Sequence, residues 1–346
     1  MRIPDIRHNI VAALAAIVAG LVVLPSQGYC NDGKIPVKFF ILPHFEVGGL
    51  SDGHYGETEL FYQNFLSDAK QYSLSSGYTL YYGKKHQAAM LLTGQGKVTA
   101  TMSVTSALCD DRFDFSDALI LCVGCAGGST GRSVFGDVCI VTAAVDFDLG
   151  HTADIRDFAD KNAPVTWFHD KEFDDTSCVK LDTALSDRIY ALVRDTKLRS
   201  TEISKKILSH NFKGQSWIDR EPAVLKGTAA TGDNYWKGIH GHAKAAAIAT
   251  HYKCTDPYTV TEMEDVAVLN VVKRFGLLKH TAVVRSVVNL DTFISGATPE
   301  SLWGGSYDYM TGEFNAETLD IFTPAMRNLF DVCKRIINAH IEKSLF

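Results

Sequence analysis

A chain of 346 residues in which 46% are hydrophobic and 21% charged can bury a large core, which excludes intrinsic disorder and fits one large domain or two small ones. Its formal net charge of -6 and its scattered Lys and Arg residues exclude a nucleic-acid footprint, which needs basic side chains gathered on one face.

The chain opens on a targeting segment. Arg2 and Arg7 precede an apolar run from Ile10 to Leu24, and Ser26-Gln27-Gly28 supplies the small residues that a signal peptidase reads. Residues 1–28 are therefore expected to be a signal peptide, and the mature chain, starting near Tyr29, to be periplasmic or secreted. An uncleaved anchor is the alternative, but the run falls short of the ~20 residues that a spanning helix needs. Tyr29 is too large to precede Cys30 in the usual lipidation pattern. No later stretch is long and apolar enough to span a bilayer as a helix.

From Val37 the elements alternate. Val37 to Leu42 is a strand that stops at Pro43-His44-Phe45-Glu46-Val47-Gly48-Gly49. Ala89 to Thr93 is another, turning through Gly94-Gln95-Gly96-Lys97 into a helix rich in alanine and valine. Ala118 to Val123 reads as a central strand ending in Gly124-Cys125-Ala126-Gly127-Gly128, and Asp137 to Val141 continues the sheet. A helix-rich insertion or cap is expected over 154–223. Behind Glu264, the residues Ala267, Val268, Val271, Val272 and Phe275 repeat at helical spacing, which places the acids at the exposed N-terminal end of that helix, where its dipole favours them. The run from Thr281 to Val288 is nearly all β-branched or small, as a strand covered on both faces should be, and its end delivers Asn289 and Asp291 to the crevice where ligands of open α/β sheets sit. A last helix carries Met326, Leu329, Phe330, Cys333, Ile336 and Ile337 on one stripe. Alternation of this kind predicts an α/β fold with a mostly parallel sheet, built as a single domain over 35–346.

Of the eight cysteines, Cys122, Cys125 and Cys139 fall in or beside apolar strands as small core residues. Cys109, Cys178, Cys254 and Cys333 are freer to pair, in a connectivity the sequence does not give. The Cys122 to Cys125 spacing has no second pair, so neither a metal nor a redox role is expected of it.

Glycine turns are ordinary strand-to-helix connections, and Asp233 reads first as a helix cap. Glu46, Glu264, Asn289 and Asp291 at successive strand ends say more when taken together. Two carboxylates and an amide in one crevice suit a sugar with a basic leaving group, one acid activating a nucleophile and the other binding hydroxyls.

Six motifs occur in the order seen in the nucleoside phosphorylase and nucleosidase superfamily. They are Thr93-Gly94-Gln95-Gly96-Lys97-Val98-Thr99-Ala100, Gly124-Cys125-Ala126-Gly127-Gly128, Gly136-Asp137-Val138, Ala230-Thr231-Gly232-Asp233, Glu262-Met263-Glu264 and Arg285-Ser286-Val287-Val288-Asn289. Within that superfamily, Phe45-Glu46, the stretch from Ala144 to Leu149, Thr231-Gly232-Asp233-Asn234-Tyr235-Trp236-Lys237-Gly238 and Met263-Glu264-Asp265 resemble the purine nucleoside permease family, from about Val37 to the C-terminal helix. The resemblance implies a three-layer αβα phosphorylase-like fold with a mostly parallel central mixed sheet. It also implies a purine nucleoside as partner, with no cofactor, metal or nucleic acid; a membrane transporter partner and a homo-oligomer stay open.

Carried over by position, Glu46 falls on the carboxylate that activates water, and Arg285 on an arginine near that water. Glu264 falls on the ribose-hydroxyl ligand, Met263 beneath the sugar, and Tyr235 and Trp236 on the segment flanking the base, where an aromatic face can stack on a purine. Cys125, Ala126 and Gly127 fall on the turn around the nucleophile. There are two departures. Asn289 stands where nucleosidases keep an aspartate that protonates the purine, and an amide is no general acid; Asp291 is then the candidate acid. Cys122 stands where hexameric phosphorylases keep a phosphate-binding arginine, and neither Lys97 nor Arg132 is an obvious replacement. Hydrolysis of a purine nucleoside to base and ribose is the expected function; the alternatives are an uptake component that binds without cleaving, and a phosphorylase.

Overall fold

Ten strands build one mixed sheet in the computed structural model of the chain, which describes residues 33–50, 53, 56–153, 167–168, 171–292 and 316–346. The expected signal peptide lies outside the described residues. In chain order the strands are β1 (Phe39–Pro43), β2 (Lys70–Ser73), β3 (Thr79–Gly83), β4 (Ala88–Leu91), β5 (Leu119–Gly128), β6 (Val138–Asp146), β7 (Cys178–Lys180), β8 (Val224–Thr231), β9 (Tyr258–Glu262) and β10 (Thr281–Leu290). Two short pairs stand outside the sheet, Ile35–Pro36 with Phe113–Asp114 and His151–Thr152 with Trp167–Phe168.

Parallel pairing joins β4 to β1, β1 to β5, β5 to β10, and β6 to β8 to β9. Antiparallel pairing holds the edge hairpin of β2, β3 and β4 and the flanking β7. It also joins β9 to β5 and β10 to β6, so that β6, β8, β9, β5 and β10 close on themselves as a ring. The ring explains why β5, β6 and β10 carry apolar residues on both faces. Their inner side chains fill the ring while the outer ones meet helices.

Eight helices accompany the sheet among the described residues: α1 (Glu59–Phe65), α2 (Lys97–Leu108), α3 (Asp174–Ser177), α4 (Thr183–Val193), α5 (Glu202–Asn211), α6 (Ile239–His251), α7 (Asp265–Arg274) and α8 (Ala316–Lys343). They divide between two faces, giving the expected three layers. On one face α2 packs on α7 over Ala100, Val104, Val268 and Val272; on the other, α1, α4 and α8 cover Phe39, Leu121, Ile140 and Val284. The stripe predicted for the last helix is buried there, and Phe330 meets Phe61 edge-to-face at 5.3 Å. Each face that a helix buries is worth about 25 cal/mol per Å² of apolar surface, which makes this packing the main support of the fold.

Residues Ile35–Phe346 form one compact unit. Within 154–223, α4 starts on an Asp182 cap and α5 on a capping box between Thr201 and Ser204. Both helices pack beside α8. Among the freer cysteines, Cys333 is buried in the core and Cys109 is exposed. Cys178 and Cys254 are neighbours whose thiols share a hydrogen bond, and that contact draws Cys254 down to about 7.

Candidate active site

The strand ends open on a cavity of about 670 Å³, within the range of small-molecule sites. Its walls come from the segment after β1, the loop before α1, the turn at Gln95, the glycine end of β5, the loop after β8, the β9–α7 junction, the end of β10, and Ile321 and Phe322 of α8.

Arg285 organises the floor. It reaches inward from β10 and is buried to 1% exposure. Its Nε donates to Asp265 at 3.1 and 3.2 Å, and its Nη2 donates to Asp265 at 2.6 Å, Glu262 at 3.2 Å and Glu264 at 3.2 Å. Nη1 donates to the Cys125 carbonyl at 3.2 Å. Three carboxylates on one guanidinium leave the cluster short of positive charge. Burial drives the Glu262 carboxyl up to about 7, with Asp265 adding to the rise and Arg285 opposing it. Burial does the same to Glu264, also to about 7. The acids at the start of α7 are therefore buried behind Arg285, where the amphipathic pattern alone had placed them at an exposed end.

Glu264 is fixed on its other side by the Gly96 N–H, which donates to Oε1 at 3.1 Å. Glu262 accepts from the N–H groups of Glu264 and Asp265 at 2.6 and 2.7 Å and from the Thr231 hydroxyl at 2.5 Å, and so braces the turn that aims Glu264. Met263 lines the cavity between them.

Two further carboxylates reach the cavity from the β1–α1 side. Glu46 accepts from the Thr58 N–H at 2.7 Å, from the Thr58 hydroxyl and from the Val47 N–H at 2.8 Å, and burial raises its pKa. Glu57, which the sequence reading passed over, is more deeply set at 1% exposure. It accepts from the N–H groups of His44, Phe45 and Cys125 at 2.7, 2.9 and 2.7 Å. Position 124 brings Glu57 and Arg285 together: a Cβ there would stand 2.6 Å from Arg285 Nη1 and 2.8 Å from Glu57 Oε1. Glycine leaves that point between a donor and a carboxylate oxygen. Among the described residues Glu46 has no such cation beside it.

Cys125, Ala126 and Gly127 line the cavity as expected, and burial pushes the Cys125 thiol well above its ordinary value. Asn289 lines it too, opposite Gly127, where a Cβ would fall 2.9 Å from the amide nitrogen. Tyr235 stands at the rim with 42% exposure. Trp236 reaches the cavity, but its indole stacks on Phe147 with centroids 4.6 Å apart and a 6° tilt, and Gly241 approaches so closely that a Cβ would be 2.3 Å from the ring. Packing of its flat face in this way corrects the reading of Trp236 as a purine stacker.

Asp291 requires a second correction. It is buried and does not line the cavity: Oδ1 accepts from the Thr130 N–H at 2.9 Å, and Oδ2 lies 2.8 Å from both the Tyr258 hydroxyl and His242 Nδ1. The strand ends at Leu290, so Asp291 lies beyond it while Asn289 is still paired opposite Gly127. Lys97 and Arg132 stay away from the cavity, Lys97 on Asp146 and Asp148 at 2.9 and 3.3 Å, Arg132 on Thr259 and the Lys226 carbonyl at 2.8 and 2.9 Å.

This cavity and the ring of strands beneath it place the chain on the fold of the nucleosidases. A 5'-methylthioadenosine/S-adenosylhomocysteine nucleosidase from Neisseria meningitidis, solved with methylthio-immucillin-A, aligns with 88% of this chain and 99% of its own at a TM-score of 0.54 and 16% identity. A futalosine hydrolase mutant from Helicobacter pylori aligns with 87% of this chain and 99% of its own at 0.55 and 14%. The purine nucleoside permease (NUP) family matches residues 36–343, and the chain belongs to that family. A protein of Schizosaccharomyces pombe named as a probable purine nucleoside permease is 25% identical over 201 residues; the match spans 53% of this chain and 57% of the relative's length.

Proposed function

We propose that the protein binds purine nucleosides in this cavity and hydrolyses their N-glycosidic bond, releasing base and ribose. The observation that carries the reading is the charge of the cavity. Among the described residues that line it the one cation is Arg285, already held by three carboxylates, while Glu46 and Glu57 add two more acids. A phosphate dianion would meet net negative charge and no open guanidinium fork, whereas water needs only a donor and an acceptor. Glu57 Oε1 and Arg285 Nη1 flank Gly124 as that acceptor and donor, so Glu57 takes the proton from the attacking water and Glu46 stands further out. Glu264 receives the ribose hydroxyls above Met263, Tyr235 covers the base, and Asn289 bonds its edge as both donor and acceptor.

Chromatography of inosine, guanosine and adenosine reactions, run with and without phosphate, tests the class: ribose is expected, and ribose 1-phosphate would defeat hydrolysis. Loss of a general base costs typically 10²–10⁴-fold in rate, so Glu57→Gln should fall by that factor with nucleoside still bound, and Glu46→Gln by much less. The reverse order would move the base to Glu46.

The family description supports a second reading, in which the protein captures nucleosides for a membrane partner. Asn289 in place of an acid favours it, and no helix among the described residues is long and apolar enough to cross a membrane. Intact inosine bound without turnover would decide for capture.

A further inference from the structure

His44 opens the chain segment that leaves β1 and lines the same cavity, and the proposed hydrolysis makes no use of its side chain. It is 2% exposed. Its backbone is pinned by the N–H bond to Glu57, and its ring by Nδ1, which lies 2.6 Å from the Thr93 hydroxyl oxygen. That hydroxyl donates onward to the Gly94 carbonyl at 3.2 Å. The direction of the Nδ1 contact depends on the tautomer; with the hydroxyl proton directed to Gly94, Nδ1 carries the imidazole proton and Nε2 presents a bare lone pair. Among the described residues Nε2 has no partner. A buried imidazole nitrogen left unpaired is costly. The ring also stays neutral, because burial and then the charge of Arg285 hold its pKa well below the ordinary value.

The location narrows what that lone pair receives. Thr93-Gly94-Gln95-Gly96 is one turn: its first residue holds His44, and the N–H of its last residue holds Glu264. A neutral acceptor beside a carboxylate on one turn suits a polyol, whose hydroxyls each bring a proton to give. A base N–H would be met instead on the Asn289 and Tyr235 side of the cavity. We propose that His44 Nε2 accepts a hydrogen bond from one sugar hydroxyl of the bound nucleoside, making His44 a specificity residue for ribose.

The inference rests on nucleoside binding in this cavity and not on cleavage. Calorimetric titration of wild type, His44→Leu and His44→Gln with inosine and its 2'-, 3'- and 5'-deoxy analogues provides the test. His44→Leu should weaken inosine roughly tenfold, the cost of a buried polar partner left unmet. It should leave unchanged the affinity of the one analogue that lacks the partner hydroxyl. His44→Gln, whose amide oxygen can accept, should recover most of the loss. Equal weakening for all four ligands would reduce His44 to a packing role and overturn the proposal, as would no weakening at all. Should His44→Leu fail to fold, nitrogen-15 spectra of the wild-type imidazole replace it: inosine should shift the Nε2 resonance and one deoxy analogue should not, and an unmoved resonance overturns the proposal. Binding without release of base would sink hydrolysis and leave these affinities standing, whereas release of base with affinities indifferent to His44 would sink this inference alone. Wild-type protein that binds no nucleoside overturns both.

Discussion

Two places in the molecule set three carboxylates around one cation, and they behave differently. Arg285 meets Glu262, Glu264 and Asp265 with every side chain at 5% exposure or less. Lys97 meets Asp146, Asp148 and Asp233 at 2.9, 3.3 and 3.8 Å with side chains 9%, 25% and 48% exposed. Water screens the second group, and Lys97 answers by holding its own proton harder: burial pulls it down, but the hydrogen bond and charge of Asp146 and the charge of Asp148 outweigh that and raise it. In the dry group Arg285 is likewise held protonated, against its burial, by Asp265, Glu262 and Glu264, and burial moves the acids as well, carrying Glu262 and Glu264 up to about 7. Burial thus brings the titration of two carboxyls of the dry cluster close to neutrality.

Removing the cation should separate the two groups most. Arg285→Met leaves buried acids without their partner and should cost about 3–5 kcal/mol of unfolding free energy in urea titrations, while Lys97→Met, half screened, should cost about 1 kcal/mol or less. Similar losses would show that burial does not set the difference. Removing one acid is the next step down. Glu264→Ala should weaken inosine by about 2 kcal/mol, roughly thirtyfold, through lost hydroxyl partners, and Asp148→Ala should leave affinity untouched. An unchanged dissociation constant for Glu264→Ala would remove that residue from the ribose.

The smallest effect is a difference in pH window. Glu262 and Glu264 rise in the fold to about 7 from about 4.3 when unfolded, so the folded state holds more protons between those values. Their contribution to stability is fully present below the unfolded value and is lost as pH climbs toward 7. Lys97, also raised, keeps its contribution until pH passes about 10.4 and is lost in alkali. Urea midpoints measured from pH 5 to 8 should therefore flatten in Glu264→Gln and not in Lys97→Met.

Much of this was legible in the chain. The β-branched run at Thr281 and the alanine- and glycine-ended run at Leu119 announced buried strands, because strands covered on both sides tolerate little else. Glycine clusters and acids at strand ends located the crevice. Closure of the ring was not legible, since the antiparallel contact of β10 with β6 joins segments distant in sequence with no local signal of register. Asp291 was misplaced because β10 ends at Leu290, and beyond a strand's end spacing by two no longer means one face. Glu57 was missed because the loop before α1 has no period, although Glu57-Thr58-Glu59 directly before Leu60 and Phe61 did mark a helix start. Trp236 was misread for another reason: aromatic identity does not say which face Phe147 already covers.

The end of β5 has one more consequence, for how such a protein can change. Gly127 gives the cavity wall a stretch of main chain alone, with Asn289 Nδ2 within 2.9 Å of where a side chain would begin, and at the nearby Gly124 Arg285 Nη1 is within 2.6 Å of that point. Point substitution has nothing to adjust there, because the smallest step, to alanine, already displaces an ion or the amide. Change in what the cavity admits is left to its more open side, where Tyr235 is exposed. Lineages that inherit this floor are free to diversify in what they admit and confined in the floor itself.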